Sequence, residues 1–125
     1  MSEIGSRRPT PEQANLAVVE AYWRAWNDKR LSDAADAIAT DARFRHFTLG
    51  IEVHGRQAIL DLMEKSLAML PERRSTVVHS LAADDHVITE NRYEARTESG
   101  QPLTKDICYV FRLDDGQIVE WREYG

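Results

Sequence analysis

Helical patterning stops at Pro71, and from Ser75 onward every apolar period is that of a strand. The chain must therefore place its helices first and a contiguous run of strands after them. Strands are expected near 75–82, 86–97, 103–113 and 117–124, with turns at Asp84-Asp85, Ser99-Gly100 and Asp114-Asp115-Gly116. Connections this short force consecutive strands antiparallel and produce a meander. In the second of these strands Glu90, Arg92, Glu94 and Arg96 alternate with Thr89, Asn91, Tyr93 and Ala95, so one face meets water and the other a core. The third sets Ile107, Tyr109, Phe111 and Leu113 on one face, and Asp106, Cys108, Val110 and Arg112 on the other. The last is ambiguous by pattern, because Val119, Trp121 and Glu123 alternate with the equally mixed Ile118, Glu120, Arg122 and Tyr124.

Ahead of the strands, Thr10-Pro11-Glu12-Gln13 combines a capping hydroxyl, a proline suited to the first helical position and a glutamine able to bond back to the cap. Leu16, Val19, Trp23 and Trp26 then recur at helical spacing beside Val18 and Tyr22, giving a broad aromatic face. Asn27-Asp28-Lys29-Arg30 interrupts the period, and Ser32 is expected to cap a short second helix running to Ile38. After Asp41 a short strand is expected, with Phe44 and His46 on one parity, leading into the loop Thr48-Leu49-Gly50. Gly55 precedes a third helix whose stripe is Ile59, Leu62, Met63, Leu67 and Leu70. The expected architecture is an α+β fold: one domain over residues 10–125, three helices on the concave face of a mostly antiparallel sheet, and a loose tail over residues 1–9.

A chain of 125 residues can bury one core without a disulfide or metal, and 42% hydrophobic residues are ample for it. A net charge of -5 with interspersed signs offers no basic stripe for nucleic acid, and no apolar run is long enough for a bilayer span. The single cysteine, Cys108, has no internal disulfide partner and is expected at an interface or packing site. The opening MSEIGSRRPTPEQ lacks a signal-peptide apolar region, which makes the cytoplasm the expected location. The four histidines show no metal-ligand spacing, and there is neither a glycine-rich phosphate loop nor a nucleophile elbow. No cofactor is expected.

Four stretches in order carry a resemblance: residues 19–27 (VEAYWRAWN), 39–44 (ATDARF), 53–59 (VHGRQAI) and 111–124 (FRLDDGQIVEWREY). Across residues 14–124 the chain resembles the SnoaL-like, nuclear-transport-factor-2-like superfamily. That resemblance implies a cone-shaped, cystatin-like roll, commonly homodimeric through the outer sheet face. The superfamily includes ketosteroid isomerases, limonene-epoxide hydrolases, polyketide cyclases and non-enzymatic domains, so the fold alone leaves the function open.

Carried over residue by residue, the resemblance to ketosteroid isomerases puts their oxyanion tyrosine at Tyr22, their general base at His46 and their protonated aspartate at Tyr109. The resemblance to limonene-epoxide hydrolases is closer at Trp121-Arg122-Glu123-Tyr124, and it turns Trp121 and Glu123 inward. Their Arg-x-Asp pair is met here by Asn91 and Tyr93, so the hydrolase network is incomplete.

The residues themselves support two readings. In the first, a cofactor-independent isomerase, cyclase or hydrolase acts on an apolar ring ketone, polyketide or terpenoid. His46 exchanges a proton with the substrate, Tyr22 and Tyr109 bond the oxyanion, and Glu123 with Asn91 and Tyr93 orients substrate or water. Trp26, Phe44, Asn91, Tyr93, Phe111 and Trp121 surround the ligand. In the second, the same polar groups pair with one another inside a non-catalytic ligand-binding or dimerisation domain. Taken singly, His46 also reads as a buried histidine bonded to a carbonyl, and Glu123 as paired with an arginine or facing solvent near the chain end. A cavity of about 300 Å³ or more would favour the first reading.

Overall fold

The computed structural model describes residues 8–125, so most of the tail expected over residues 1–9 lies outside the described residues. Helix α1 (Pro11–Asn27) opens with the expected reciprocal cap: Gln13 N–H donates to Thr10 Oγ1 at 3.1 Å, and Thr10 N–H donates to Gln13 Oε1 at 2.9 Å. The other end of α1 is tied down by a side chain that the helical pattern treats only as an interruption. The Asn27 amide donates to Ser75 O and accepts from Ser75 N–H, both at 2.8 Å, which clamps the end of the helix to the strand carrying Ser75.

Helix α2 (Leu31–Asp36) differs from expectation at both ends. Its cap position is Arg30 rather than Ser32 and makes no side-chain cap bond; the Arg30 guanidinium instead bridges Asp28 and Asp33. The helix stops before Ile38 because the sheet claims that residue. Ile118 N–H donates to Ala37 O at 2.8 Å, and Ile38 is the first residue of β1 (Ile38–His46).

A second short strand, β2 (Ile51–His54), pairs antiparallel with β1; its four residues alternate between half-buried and exposed and are too few to read as a period. At Gly55 the chain turns into α3 (Arg56–Met69), which buries Ile59 and Met63. The Pro71–Arg73 turn then leads to β3 (Arg74–Ala83), β4 (His86–Arg96), β5 (Pro102–Asp114) and β6 (Gln117–Tyr124), an antiparallel meander with boundaries within a residue or so of those expected.

The six strands form one sheet in the order β2-β1-β6-β5-β4-β3, with β1 and β6 its one parallel pair. Three helices lie against this mixed, mostly antiparallel sheet. Register explains why β6 could not be read from parity. Arg112 faces Glu120 but Leu113 faces Ile118, so Val119 is an extra residue in a bulge. The bulge lets Ile118 and Trp121, on opposite parities, both turn into the core. The core centres on Val19, Tyr22 and Trp23 of α1 packed on Tyr109, Phe111 and Trp121, with Ile59 and Met63 of α3 closing one side.

Gly55 has φ 93° and ψ 143°, a conformation that side-chain-bearing residues rarely adopt, and its N–H donates to Ala42 O at 2.7 Å. A Cβ there would meet only Thr40 O, at 3.9 Å, so the obstacle to substitution is backbone strain and not space. Gly55→Ala is expected to cost about 1–3 kcal/mol in urea unfolding with an unchanged denaturant slope.

Candidate functional site

A cavity of about 340 Å³ opens between α1, α3 and the concave sheet face. Tyr22, Trp23 and Trp26 line it from α1, Ile59, Leu62, Met63 and Ser66 from α3, and Leu49, Ile51 and Leu103 from around the rim. Its polar groups are set in a predominantly apolar lining, as is usual for small-molecule sites.

The cavity's acid and imidazole are brought together by the parallel pairing of β1 with β6. Phe44 registers with Trp121, and two residues on His46 registers with Glu123, so both pairs point to the same face. His46 Nε2 lies 3.0 Å from Glu123 Oε2, with the two side chains 12% and 15% exposed.

The other imidazole nitrogen is also engaged, since Leu49 N–H donates to Nδ1 at 3.3 Å. A nitrogen that accepts cannot carry a proton. The neutral ring therefore holds its proton on Nε2 and donates it to Glu123. The Phe47–Gly50 turn, closed by Gly50 N–H donating to Phe47 O at 3.2 Å, holds Leu49 in place for this contact.

Burial pushes the Glu123 carboxyl up from its ordinary 4.5 to about 7, partly offset by the Lys105 ammonium. Burial, and then Lys105, lowers His46, in keeping with a neutral ring. Burial raises the Tyr22, Tyr93 and Tyr109 phenols, which leaves them neutral donors at physiological pH.

Of the residues singled out from the sequence, Tyr22, His46, Tyr109 and Glu123 lie on the cavity wall together with Trp26, Phe44, Tyr93 and Trp121. Asn91 and Phe111, expected beside the ligand, do not reach it. Both are fully buried behind the wall, where Asn91 Nδ2 donates to Ser75 Oγ at 2.8 Å and Phe111 packs against Tyr22 and Trp121. The other histidines lie away from the cavity: His54 ends β2 beside Glu52, His86 opens β4 beside Asp85, and His79, expected at a strand margin, lies in the middle of β3 with its side chain exposed beside Glu90. Cys108 is half-buried on the outer face, across from Glu90 and Tyr124.

Three contributors escape pattern reading. Lys105 lines the mouth of the cavity, Leu49 acts through its backbone, and Arg73 lies buried behind Trp26. Only Lys105 left a trace in the sequence, since it shares the parity of Ile107 and Tyr109. Among the described residues no three His, Cys, Asp or Glu side chains group as a metal site, and no helix is long and apolar enough to cross a membrane.

The raised Glu123 predicts a pH signature. Between about 4.5 and 7 the folded state keeps a proton that the unfolded state has lost, so this group's contribution to stability falls as pH rises through that window and is flat above it. His46, lowered when folded, contributes the opposite slope: stability is lost as pH falls below 6.5. Glu123→Gln removes the first effect. Its stability relative to wild type is expected to improve by on the order of 2–3 kcal/mol between pH 4.5 and 7.5, read by urea unfolding at several pH values.

A comparison with functionally curated proteins finds no match. Among solved structures, a proposed polyketide cyclase from Xanthomonas campestris pv. campestris superposes with a TM-score of 0.86 at 19% identity, covering 93% of each chain. An LEH-like epoxide hydrolase from M. tuberculosis gives 0.82 at 19% identity, over 92% of this chain and 84% of that one. A hypothetical protein with a ketosteroid isomerase-like fold from Catenulispora acidiphila, in complex with trimethylamine, gives 0.80 at 21% identity, over 86% and 84%. These likenesses establish a shared fold. The SnoaL-like domain family matches residues 19–121, and the chain belongs to that family.

Proposed function

We propose that the cavity binds a small, largely apolar organic molecule, and that the protein is a cofactor-independent acid/base isomerase, cyclase or hydrolase in which Glu123 carries the proton. The observation that supports this most directly is the desolvated Glu123 carboxyl held 3.0 Å from His46 on the wall of an apolar cavity. A carboxyl tuned to about 7 exchanges protons readily at neutral pH. The Leu49 contact favours His46 as the orienting donor to Glu123 over the proton carrier that the sequence suggests.

In the step envisaged, the Glu123 carboxylate removes a proton from the carbon next to a carbonyl. The bonding pair moves onto the carbonyl oxygen, where Tyr22 and Tyr109 can donate hydrogen bonds, and the protonated Glu123 then returns the proton to carbon or to solvent. Ring ketones, polyketides and terpenoids are the substrate classes that fit an aromatic wall around one such group.

The alternative is a non-catalytic binding domain in which the His46–Glu123 bond is purely structural; an open cavity of about 340 Å³ weighs against a closed, self-paired interior. A homodimer fits either reading. Its outer-face contact would be less polar than the Glu90 to Arg96 ladder suggests, because Leu81 and Ile88 pair on that face at 70% and 39% exposure.

Deuterium uptake from solvent into a panel of ring ketones tests the proposal. Exchange is expected to rise with pH and level off above about 7, and to drop at least 100-fold in Glu123→Gln. Ketones that raise the melting temperature of both proteins without exchanging would assign the cavity to binding alone.

A further inference from the structure

Arg73 is 2% exposed, and among the described residues it has no carboxylate partner. Its Cζ stacks 3.5 Å from the centroid of the Trp26 ring, and the guanidinium's one hydrogen bond is a long one, Nη1 to Trp26 O at 3.3 Å. Nε and Nη2 are buried with nothing to donate to, and so are the indole N–H groups of Trp23 and Trp26. A buried guanidinium without an anion is costly, because the desolvation of its charge is not repaid by Coulomb attraction. Cation–π contact with Trp26 recovers only a part.

The position of this charge is informative. Arg73 stands behind the Trp26 wall of the cavity, and its field reaches the hydroxyls of Tyr22 and Tyr93, both of which face the cavity. Lys105 adds a second cation at the mouth, while Glu123 is the one acidic residue on the wall. A chain with a net charge of -5 has thus set two cations beside one apolar cavity, Arg73 buried behind its Trp26 wall and Lys105 on its lining. In a low-dielectric site such an arrangement is complementary to negative charge on a ligand.

We propose that Arg73, supported by Lys105, makes the cavity selective for an apolar ligand bearing one anionic oxygen group, a carboxylate or an enolised carbonyl, oriented toward the Trp26, Tyr22 and Tyr93 end. The proposal rests on the preceding reading only in that the cavity receives a small molecule, and it needs no proton transfer. Arg73 is thereby a specificity residue whose charge is kept at a cost to folding.

The probes are 2-naphthoate, its neutral isostere 2-naphthamide, and 2-naphthol, whose absorbance reports whether it binds ionised. Titration at pH 7.5 is expected to show naphthoate binding at least tenfold more tightly than naphthamide. Arg73→Met is expected to reduce that preference to under threefold, Arg73→Lys to retain most of it, and Glu123→Gln, which removes the one acid on the wall, to increase it while proton exchange is lost.

Arg73→Met is also expected to melt no lower than wild type, since an apolar side chain replaces an unpaired buried charge. That readout separates a specificity role from a structural one. Ionised naphthol on the protein would extend the site to enolate-like ligands, and naphthoate preference with neutral naphthol would confine it to carboxylates. Equal affinity of wild type for naphthoate and naphthamide, binding of neither, or a preference undiminished in Arg73→Met would overturn the proposal. If Arg73→Met does not fold, equal wild-type affinity for the two probes still overturns the proposal, and a preference that survives in Lys105→Met is the result expected if Arg73 carries it.

Discussion

Tyr22 and Trp23 of α1, their rings 5.0 Å apart, meet Phe111 at 6.1 and 6.0 Å, while Tyr22 reaches Trp121 at 6.1 Å and Trp23 reaches Tyr109 at 4.7 Å. This edge-on aromatic cluster sets how closely the helix can approach the sheet. Rings that large, tilted against one another, hold the layers apart where they meet and leave open space alongside. The cavity is the continuation of that spacing toward α3, and its wall and the core share residues for this reason.

Polar chemistry placed on such a wall is strongly perturbed by its surroundings. Glu123, Tyr22, Tyr109 and His46 are all displaced toward their neutral forms by burial, and the His46 ring is oriented by the backbone of a turn that contributes no side chain to the contact. The resulting site contains one group that changes charge near neutrality, surrounded by donors that do not. The unpaired Arg73 stands apart as a permanent charge, and it gives the cavity a polarity that its titratable residues alone would not produce.

Much of the architecture was legible because it rests on local rules. The α1 cap, the breaker before β3, and the alternation of Glu90 through Arg96 each follow from chemistry within a few residues. What escaped was decided at a distance. Ile38 leaves helical periodicity because β6 draws it into the sheet, and β2 exists only as a partner of β1. The parity of β6 is broken by a bulge around Val119 that no one-dimensional period can anticipate. The same division holds at the site. His46 and Glu123 stood out as chemistry-bearing residues of suggestive parity, whereas Asn91 and Phe111 share the inward parity yet sit behind the wall, since parity reports a face and not depth. Nothing near Arg73 in sequence marks it as buried; its position depends on the Trp26 ring from a distant helix.

The place of β6 in the sheet also shapes how this molecule comes into being. The β1–β2 hairpin and the β3–β4–β5 meander are built from near neighbours and can assemble early, yet each ends in an unsatisfied strand edge until β6 enters between them. The last strand in the chain is thus the keystone of the sheet, and a partly made or partly unfolded chain displays two adhesive edges at once. Its vulnerability to self-association is greatest during synthesis and refolding. The same insertion sets Glu123 against His46, so a chain that has not yet hidden those edges has not yet assembled the pair.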